Sequence, residues 1–126
     1  MYKYFSIAGD KKVKCQCGCG LGLPDMSRDF MRRMDKARER AGVPFRITSG
    51  IRCPVHNNRV SSTGYHGPHT TGKALDIATP NSRTRFLIRR ALIEQGFTRL
   101  GSHPQFIHVD DCGDDDGFDD QVEWWY

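Results

Sequence analysis

The chain is organised around a stretch in which a loop turns into a strand, and which reads Tyr65-His66-Gly67-Pro68-His69-Thr70-Thr71-Gly72-Lys73-Ala74-Leu75-Asp76-Ile77. Its second half, residues 73–77, is typical of a short strand with apolar side chains at Leu75 and Ile77. Successive side chains of a strand point to opposite faces of the sheet, so Asp76 faces away from both. The Gly/Pro/Thr loop before the strand lets His69 fold back over it.

A third polar residue belongs with this pair. His108 lies at the centre of residues 106–110, a second short apolar strand. Two adjacent strands that present Asp76 and His108, together with the loop residue His69, supply nitrogen and oxygen ligands that suit zinc. Each residue alone has an ordinary interpretation as a solvated or turn-capping group. Their joint occurrence among apolar residues, where unpaired polar groups are costly, favours a metal site with one open position, as in catalytic zinc centres.

Composition and charge narrow the class of protein. The 126 residues predict one domain with a modest core, and no apolar run approaches the roughly 18 residues of a membrane span. Residues 1–109 contain all nineteen lysines and arginines and seven acids, a net charge of +12, and the other eight acids begin at Asp110. This asymmetry indicates either an anionic partner or solubility alone. Aromatic residues are not interleaved with the basic ones, so we expect no nucleic-acid partner.

Periodicity predicts an α+β fold in a single domain, with helices packed on a small antiparallel sheet. Asp25 is the expected N-cap of the first helix, Gly42 its end, and residues 54–68 a long loop that is functional or disordered. The predicted order is helix 26–41, strand 45–48, loop 54–68, strand 73–78, helix 83–95, strand 98–101 and strand 105–110.

Five cysteines form an odd set, which a complete disulfide framework would leave with one unpaired thiol. A cytosolic origin predicts free thiols. A second zinc held by Cys15, Cys17, Cys19 and Cys53 is the alternative, although zinc-binding cysteines are usually spaced by two to four residues. Both interpretations stay open for this cluster.

Three segments in this order resemble the zinc D-alanyl-D-alanine carboxypeptidases, a group of peptidoglycan peptidases that includes phage endolysins and shares its fold with the hedgehog signalling domain. The segments are Ser49-Gly50-Ile51-Arg52-Cys53-Pro54, His69-Thr70-Thr71-Gly72-Lys73-Ala74-Leu75-Asp76-Ile77 and Phe106-Ile107-His108-Val109-Asp110. The resemblance covers about residues 15 to 110, including the Cys-x-Cys-Gly-Cys-Gly opening.

This resemblance implies a zinc-dependent peptidoglycan peptidase of the carboxypeptidase or endopeptidase type, encoded by a bacteriophage. It implies zinc on His69, Asp76 and His108. Arg52 would grip the substrate's carboxylate or polarise its scissile carbonyl, because a guanidinium is permanently charged and planar. Ser49 and His66 are expected to bind substrate with it.

The chain departs from the family pattern at two positions. Gly67 stands where the family usually has serine, two residues before the first ligand. Gln105 stands where many members have the glutamate that acts as general base. Another branch uses a histidine five residues before the last ligand, which predicts His103 as base or proton donor. His66 is the reserve candidate, and Asp110 is expected to orient a histidine.

Residues 111–126 are predicted to form an acidic C-terminal tail after a peptidase domain at residues 1–110. The tail fits the spacing of an EF-hand loop from the second ligand onward, which suggests calcium at Asp114, Asp116 and Glu123. The alternative is a solvated acidic segment, although its aromatic end is unusual for one and could cover core or a substrate groove.

Function stays open between classes at this point. We expect a monomer that acts on peptidoglycan stem peptides and has no membrane partner. The absence of an N-terminal secretion signal predicts synthesis in a host cytoplasm and action on the cell wall. The alternatives are an L-alanyl-D-glutamate endopeptidase and a non-catalytic zinc-binding phage structural or wall-binding module, which Gln105 keeps in consideration.

Overall fold

The computed structural model describes residues 2–126, which form one α+β domain, as predicted. Its core is a five-stranded sheet with two long helices on one face. Among residues 2–126 no helix has the length and apolarity needed to cross a membrane. The helices are α1 (Arg28–Ala41), α2 (Pro54–Val60) and α3 (Ser82–Glu94), and the strands are β1 (Ile47–Ser49), β2 (Ala74–Ala78), β3 (Arg99–His103), β4 (Phe106–Asp110) and β5 (Val122–Trp125).

The sheet has the strand order β1-β2-β4-β3-β5. The first four strands pair antiparallel, as predicted, and β5 adds a parallel strand beside β3. The chain leaves β4 at Asp110, opposite Arg99, and returns at Val122, also opposite Arg99 but on the far side of β3. Because both ends of this connection lie at the same end of the sheet, β5 has to run in the direction of β3. The acidic tail thus contributes the last strand.

The pairing of β2 with β4 determines which of their side chains face the core and which face the site. Asp76 lies opposite His108, whereas Leu75 lies opposite Val109 and Ile77 opposite Ile107. The apolar pairs are fully buried against α1 and α3, whose buried face comprises Phe30, Met31, Met34, Ala37, Ala41, Ile88, Ala91 and Leu92. The opposite face of the sheet, called the site face below, carries Asp76 and His108.

Helix α1 begins two residues later than predicted. Asp25 ends a 3-10 turn that starts at Leu23, and its carboxylate accepts from the Gly22 N–H at 2.9 Å. Ser27 is the N-cap instead, and its hydroxyl accepts from the Phe30 N–H at 3.2 Å. The prediction of Asp25 as N-cap was therefore wrong, because that carboxylate already caps the preceding turn.

Residues 54–68 are not a loop, in contrast to the prediction. They contain α2 and two 3-10 turns, Gly64–His66 and, overlapping its end, Pro68–Thr71. Pro54 occupies the first turn of α2, and Cys53 caps it through its sulfur, which accepts from the His56 N–H at 3.4 Å. The helix is polar along most of its length, so helical periodicity could not reveal it.

The N-terminal arm, which comprises residues 2–22, crosses the end of β1 in close contact. The Ile51 N–H donates to the Val13 carbonyl at 2.9 Å. Next to it, a Cβ placed on Gly50 would lie 2.3 Å from that same carbonyl oxygen. Only a residue without a side chain allows the two backbones to approach this closely.

We expect Gly50→Ala to destabilise the protein by about 3 kcal/mol, the upper part of the usual range for overpacking, because the clash is with backbone. Thermal unfolding monitored by circular dichroism measures the loss. Gly113→Ala is the matched control, since a Cβ there meets nothing within 4 Å. Equal melting temperatures for both variants would contradict the close approach.

Candidate metal centre and pocket

Three side chains converge on the site face as the sequence predicted. His69 Nε2 lies 3.3 Å from Asp76 Oδ1, and His108 Nδ1 lies 2.9 Å from the same oxygen. All three residues are buried, and their ligand atoms lie within 4.8 Å of one another. Ligands at about 2.0–2.1 Å from a tetrahedral zinc are separated by roughly 3.3 Å, so this donor set fits that ion.

Hydrogen bonds on the outer side of each imidazole select the nitrogen that faces the centre. His69 Nδ1 lies 2.7 Å from the Gly50 carbonyl, to which it donates, so Nε2 keeps its lone pair. His108 Nε2 lies 2.6 Å from Asp110 Oδ2, which leaves Nδ1 toward Asp76. Metal-binding histidines commonly have a carboxylate or carbonyl partner of this kind, which fixes tautomer and ring orientation. The predicted contact of Asp110 with a histidine is present.

Asp110 is itself held in place from two directions. Arg99 Nε donates to its Oδ1 at 2.6 Å, and the Cys112 N–H donates to the same oxygen at 3.0 Å. Arg99 also donates to the Asp119 carbonyl, so it ties the acidic tail to the back of the site. Arg99 and Asp110 are both buried, which makes this a desolvated ion pair.

Charge within the centre shifts two pKa values in opposite directions. Burial lowers the pKa of His108, but hydrogen bonds to Asp110 and Asp76 more than reverse this and raise it to about 9. Burial raises the pKa of Asp76, and hydrogen bonds from His108 and His69 bring it well below its usual range. The metal-free site therefore favours a carboxylate beside a protonated imidazole. A bound cation would take the place of that proton.

A pocket of about 440 Å³ opens over the three ligands. Its lining includes Arg52, residues 60–63, Phe106, Trp124 and Tyr126. The lining thus combines a cationic group with aromatic surface directly over the ligand set. Such a combination suits a substrate with a carboxylate or carbonyl and an apolar portion.

Arg52 is fixed by two side chains. Its Nη1 donates to Asn57 Oδ1 at 3.0 Å, and its Nη2 donates to Ser49 Oγ at 2.8 Å. Its backbone N–H also donates to the His69 carbonyl at 3.0 Å, which couples its position to a ligand. Ser49 contacts Arg52 and does not itself line the pocket, so the structure places it behind the guanidinium.

Asn57 is a site residue that sequence reasoning missed. Its side chain is fully buried, and Nδ2 donates to Thr63 Oγ1 at 2.9 Å and to the Gly64 carbonyl at 2.6 Å. Asn57 therefore links Arg52 to the pocket wall at residues 60–63. Its position five residues after Arg52 was the available signal, but within a polar run nothing set it apart.

The same contacts explain the glycine that replaces the family's serine. A Cβ on Gly67 would lie 2.0 Å from Thr63 Oγ1 and 2.8 Å from Asn57 Nδ2. Any side chain at position 67 would displace the groups that hold Arg52. The departure at this position thus follows from local packing.

His103 lies at the end of β3 on the site face, and its catalytic role stays a prediction. It is a diagonal neighbour of His108 across β3 and β4. Its ring stacks on Phe106 with centroids 4.4 Å apart, and its Nδ1 accepts from the Gln105 N–H at 3.1 Å. A neutral imidazole with an accepting Nδ1 carries its proton on Nε2, so His103 presents a donor.

His103 is not among the residues that line the pocket, and neither are Gln105 and His66. Gln105 is exposed in the turn between β3 and β4, and His66 is exposed at the end of a 3-10 turn. The structure thus brings His69, Asp76, His108 and Arg52 together around one pocket. It leaves His66 and Gln105 at the surface.

The aromatic end of the tail forms part of the pocket wall. Trp124 lies over Gly101, where a Cβ would be 2.5 Å from the indole Nε1, and its ring centroid is 5.4 Å from that of His108. Tyr126 contacts the His103 ring with centroids 5.7 Å apart. Trp125 points away and is 76% exposed. The expectation that the tail aromatics could cover a groove thus agrees with the position of Trp124.

The acidic side chains of the tail pair with basic residues of the body. Lys73 Nζ lies 2.7 Å from Asp116, and Arg89 lies 2.7 Å from Glu123. Within residues 2–126, groups of three or more convergent metal ligands occur at the His69, Asp76, His108 set and at a four-cysteine set. Neither contains a tail acid, so the structure gives no support for calcium at Asp114, Asp116 and Glu123.

Comparison with known proteins identifies the family. A family model described as Peptidase M15 matches residues 5–110. Neither the curated proteins nor the solved structures include a match. The match spans the arm, both helices α1 and α3, and all three predicted ligands.

We expect His108→Ala to lose one zinc equivalent per chain relative to the wild type, because two ligands hold a catalytic zinc far less tightly than three. Metal analysis by mass spectrometry after gel filtration measures the change. His56→Ala is the control, since that residue lies outside the pocket lining and should keep the full zinc content. Unchanged zinc in the His108 variant would contradict the ligand assignment.

Proposed function

The chain belongs to the peptidase M15 family, and from this premise we propose that it is a zinc-dependent peptidase that cleaves stem peptides or cross-bridges of peptidoglycan. One observation carries the proposal. Three buried ligands, of which the two histidines are oriented by hydrogen bonds on their outer nitrogens, lie beneath a pocket that also presents a fixed guanidinium. Family membership makes a peptide the substrate class, and the pocket provides a cation beside the metal site to receive it.

Different residues of the chain have different roles in the proposed hydrolysis. Zinc, when bound by His69, Asp76 and His108, supplies a Lewis acid that polarises a carbonyl and lowers the pKa of water. Arg52 binds the substrate's terminal carboxylate or the developing oxyanion, because its two donors are already oriented by Ser49 and Asn57. Phe106, Trp124 and Tyr126 enclose the substrate and exclude water from the pocket.

Proton transfer is assigned to His103. To protonate the leaving amine, His103 first takes up the proton that the attacking water releases and then acts as an imidazolium, and the Gln105 N–H orients the ring. His103 and His108 are diagonal neighbours on the site face, and such neighbours have Cα atoms roughly 7–8 Å apart. This assignment replaces the glutamate that many family members have at position 105.

A cell-wall substrate is favoured by charge. Residues 1–109, which precede the acidic tail, carry a net charge of +12, and this charge would attract an anionic wall polymer. On this proposal the protein is a phage-encoded lytic enzyme, made in the host cytoplasm and acting on the wall. An L-alanyl-D-glutamate endopeptidase uses the same centre on another bond of the same polymer.

A non-catalytic wall-binding module is the second candidate, and one observation favours it. The only carboxylate among the residues that line the pocket is Asp76, which is itself a metal ligand. No separate carboxylate lining the pocket is available as a general base. Turnover of purified peptidoglycan by zinc-loaded protein separates the candidates, because a binding module would sediment with the wall and release no peptide.

We expect His103→Ala to keep its zinc and to lose roughly 100-fold or more in kcat, the scale of a general acid–base group. The measurement is release of new amino groups from peptidoglycan, with zinc content determined on the same sample. Gln105→Glu is the matched variant, since its exposed position predicts little change in rate. A large gain in that variant, with wild-type rate in His103→Ala, would move proton transfer to position 105.

We expect Arg52→Gln to raise KM by roughly 10- to 100-fold for a stem peptide with a free terminal carboxylate, because a hydrogen bond to a charged group contributes about 1.5–3 kcal/mol. The same peptide with an amidated terminus should be affected little if Arg52 binds the carboxylate. Equal losses on both peptides would assign Arg52 to the scissile carbonyl and favour an endopeptidase. Arg59→Gln, an exposed residue at the end of α2, is the control.

A further inference from the structure

A second group of potential metal ligands lies at the N-terminal arm. The sulfurs of Cys15, Cys17, Cys19 and Cys53 all lie within 4.8 Å of one another. Cys15 Sγ and Cys17 Sγ are 3.4 Å apart, and Cys17 Sγ and Cys53 Sγ are 3.6 Å apart. All four cysteines are free thiols, so no disulfide accounts for their convergence.

We propose that these four cysteines bind a structural zinc ion, separate from the centre on the site face. Zinc–sulfur bonds of about 2.3 Å in a tetrahedron place the sulfurs roughly 3.8 Å apart, close to the separations observed. Four thiolates fill the coordination sphere and leave no position for water or substrate, which distinguishes structural from catalytic zinc. Sulfur ligands also select zinc over magnesium or calcium.

The local backbone is shaped to bring alternate residues to one point. In an extended strand, residues two apart lie roughly 6.6 Å from each other, too far for the sulfurs to share an ion without a turn. Here Gly18 and Gly20 adopt positive φ angles of 84° and 99°. The Cys15 N–H donates to the Leu21 carbonyl at 2.9 Å and closes the loop. These glycines let cysteines that alternate along the chain share one ion, although zinc-binding cysteines are usually spaced by two to four residues.

Backbone donors already point at two of the sulfurs. The Cys53 N–H lies 3.4 Å from Cys15 Sγ, and the His56 N–H lies 3.4 Å from Cys53 Sγ. Hydrogen bonds of this kind favour a charged acceptor, which is the form in which cysteine binds metal. Three lysines of the same arm, Lys11, Lys12 and Lys14, lie close in sequence and offset the negative charge of a four-thiolate site.

The ion would join two separate parts of the chain near the pocket. Cys15, Cys17 and Cys19 belong to the arm, whereas Cys53 directly follows Arg52 and caps α2. A zinc ion at this point would connect the arm to the segment that contains Arg52 and positions its guanidinium. It would act on substrate binding only through this connection, so the four cysteines are structural ligands.

Metal content measured on four proteins tests the proposal without reference to peptidase activity. Under reducing conditions we expect two zinc ions per wild-type chain, one in Cys19→Ser, one in His108→Ala and none in the double variant. Cys19 is exposed, so its serine variant leaves no cavity. Cys112→Ser is the matched control and should keep both ions, because Cys112 contacts Thr71 outside the cluster.

Thiol labelling of the wild-type protein provides a second test that needs no variant. Cys17 and Cys19 are exposed and should react at once if free, but only after a chelator removes the ion if they bind zinc. Immediate labelling of both in protein purified with reductant would overturn the proposal. So would a disulfide among the four in the native mass spectrum, or iron in place of zinc. One zinc in the wild type that disappears in His108→Ala would leave the cysteines without a metal.

Discussion

The hydrogen bonds that hold His108 between Asp76 and Asp110 connect every part of the site face. They join β2 to β4, and through the Arg99–Asp110 pair they extend to β3 and the acidic tail. Burying these charges is costly, and the cost is offset only while each group keeps its partner. The centre is therefore a single connected unit, in which ligand orientation and the docking of the tail depend on the same few contacts.

Some of this arrangement could be predicted from sequence because it follows from short-range periodicity. Alternation along residues 73–77 and 106–110 placed Asp76 and His108 on one face, and helical spacing identified α1 and α3. Periodicity did not indicate α2, because this helix is mostly polar. It is stabilised by the Cys53 cap and by the buried side chain of Asn57. Nor could periodicity reveal β5, because this four-residue strand at the end of an acidic segment gains its conformation by pairing with β3.

The catalytic assignments show where sequence reasoning stops. Arg52 could be identified from its motif, but its orientation depends on Asn57 and on the space that Gly67 leaves open. These are contacts between residues whose types are common in ordinary loops. The role of His103 depends on which ring nitrogen accepts the Gln105 N–H, a geometric detail that no residue pattern encodes.

The pairing of Asp76 with His108, flanked by Leu75 with Val109 and Ile77 with Ile107, also limits how the gene can change. Shifting β2 against β4 by one residue would turn the carboxylate into the core and the leucine toward the pocket. A single-codon insertion or deletion within either strand thus removes the core and the metal centre together. The connection between β4 and β5 has no strand register to keep, so a change of length should be tolerated better there than within either strand.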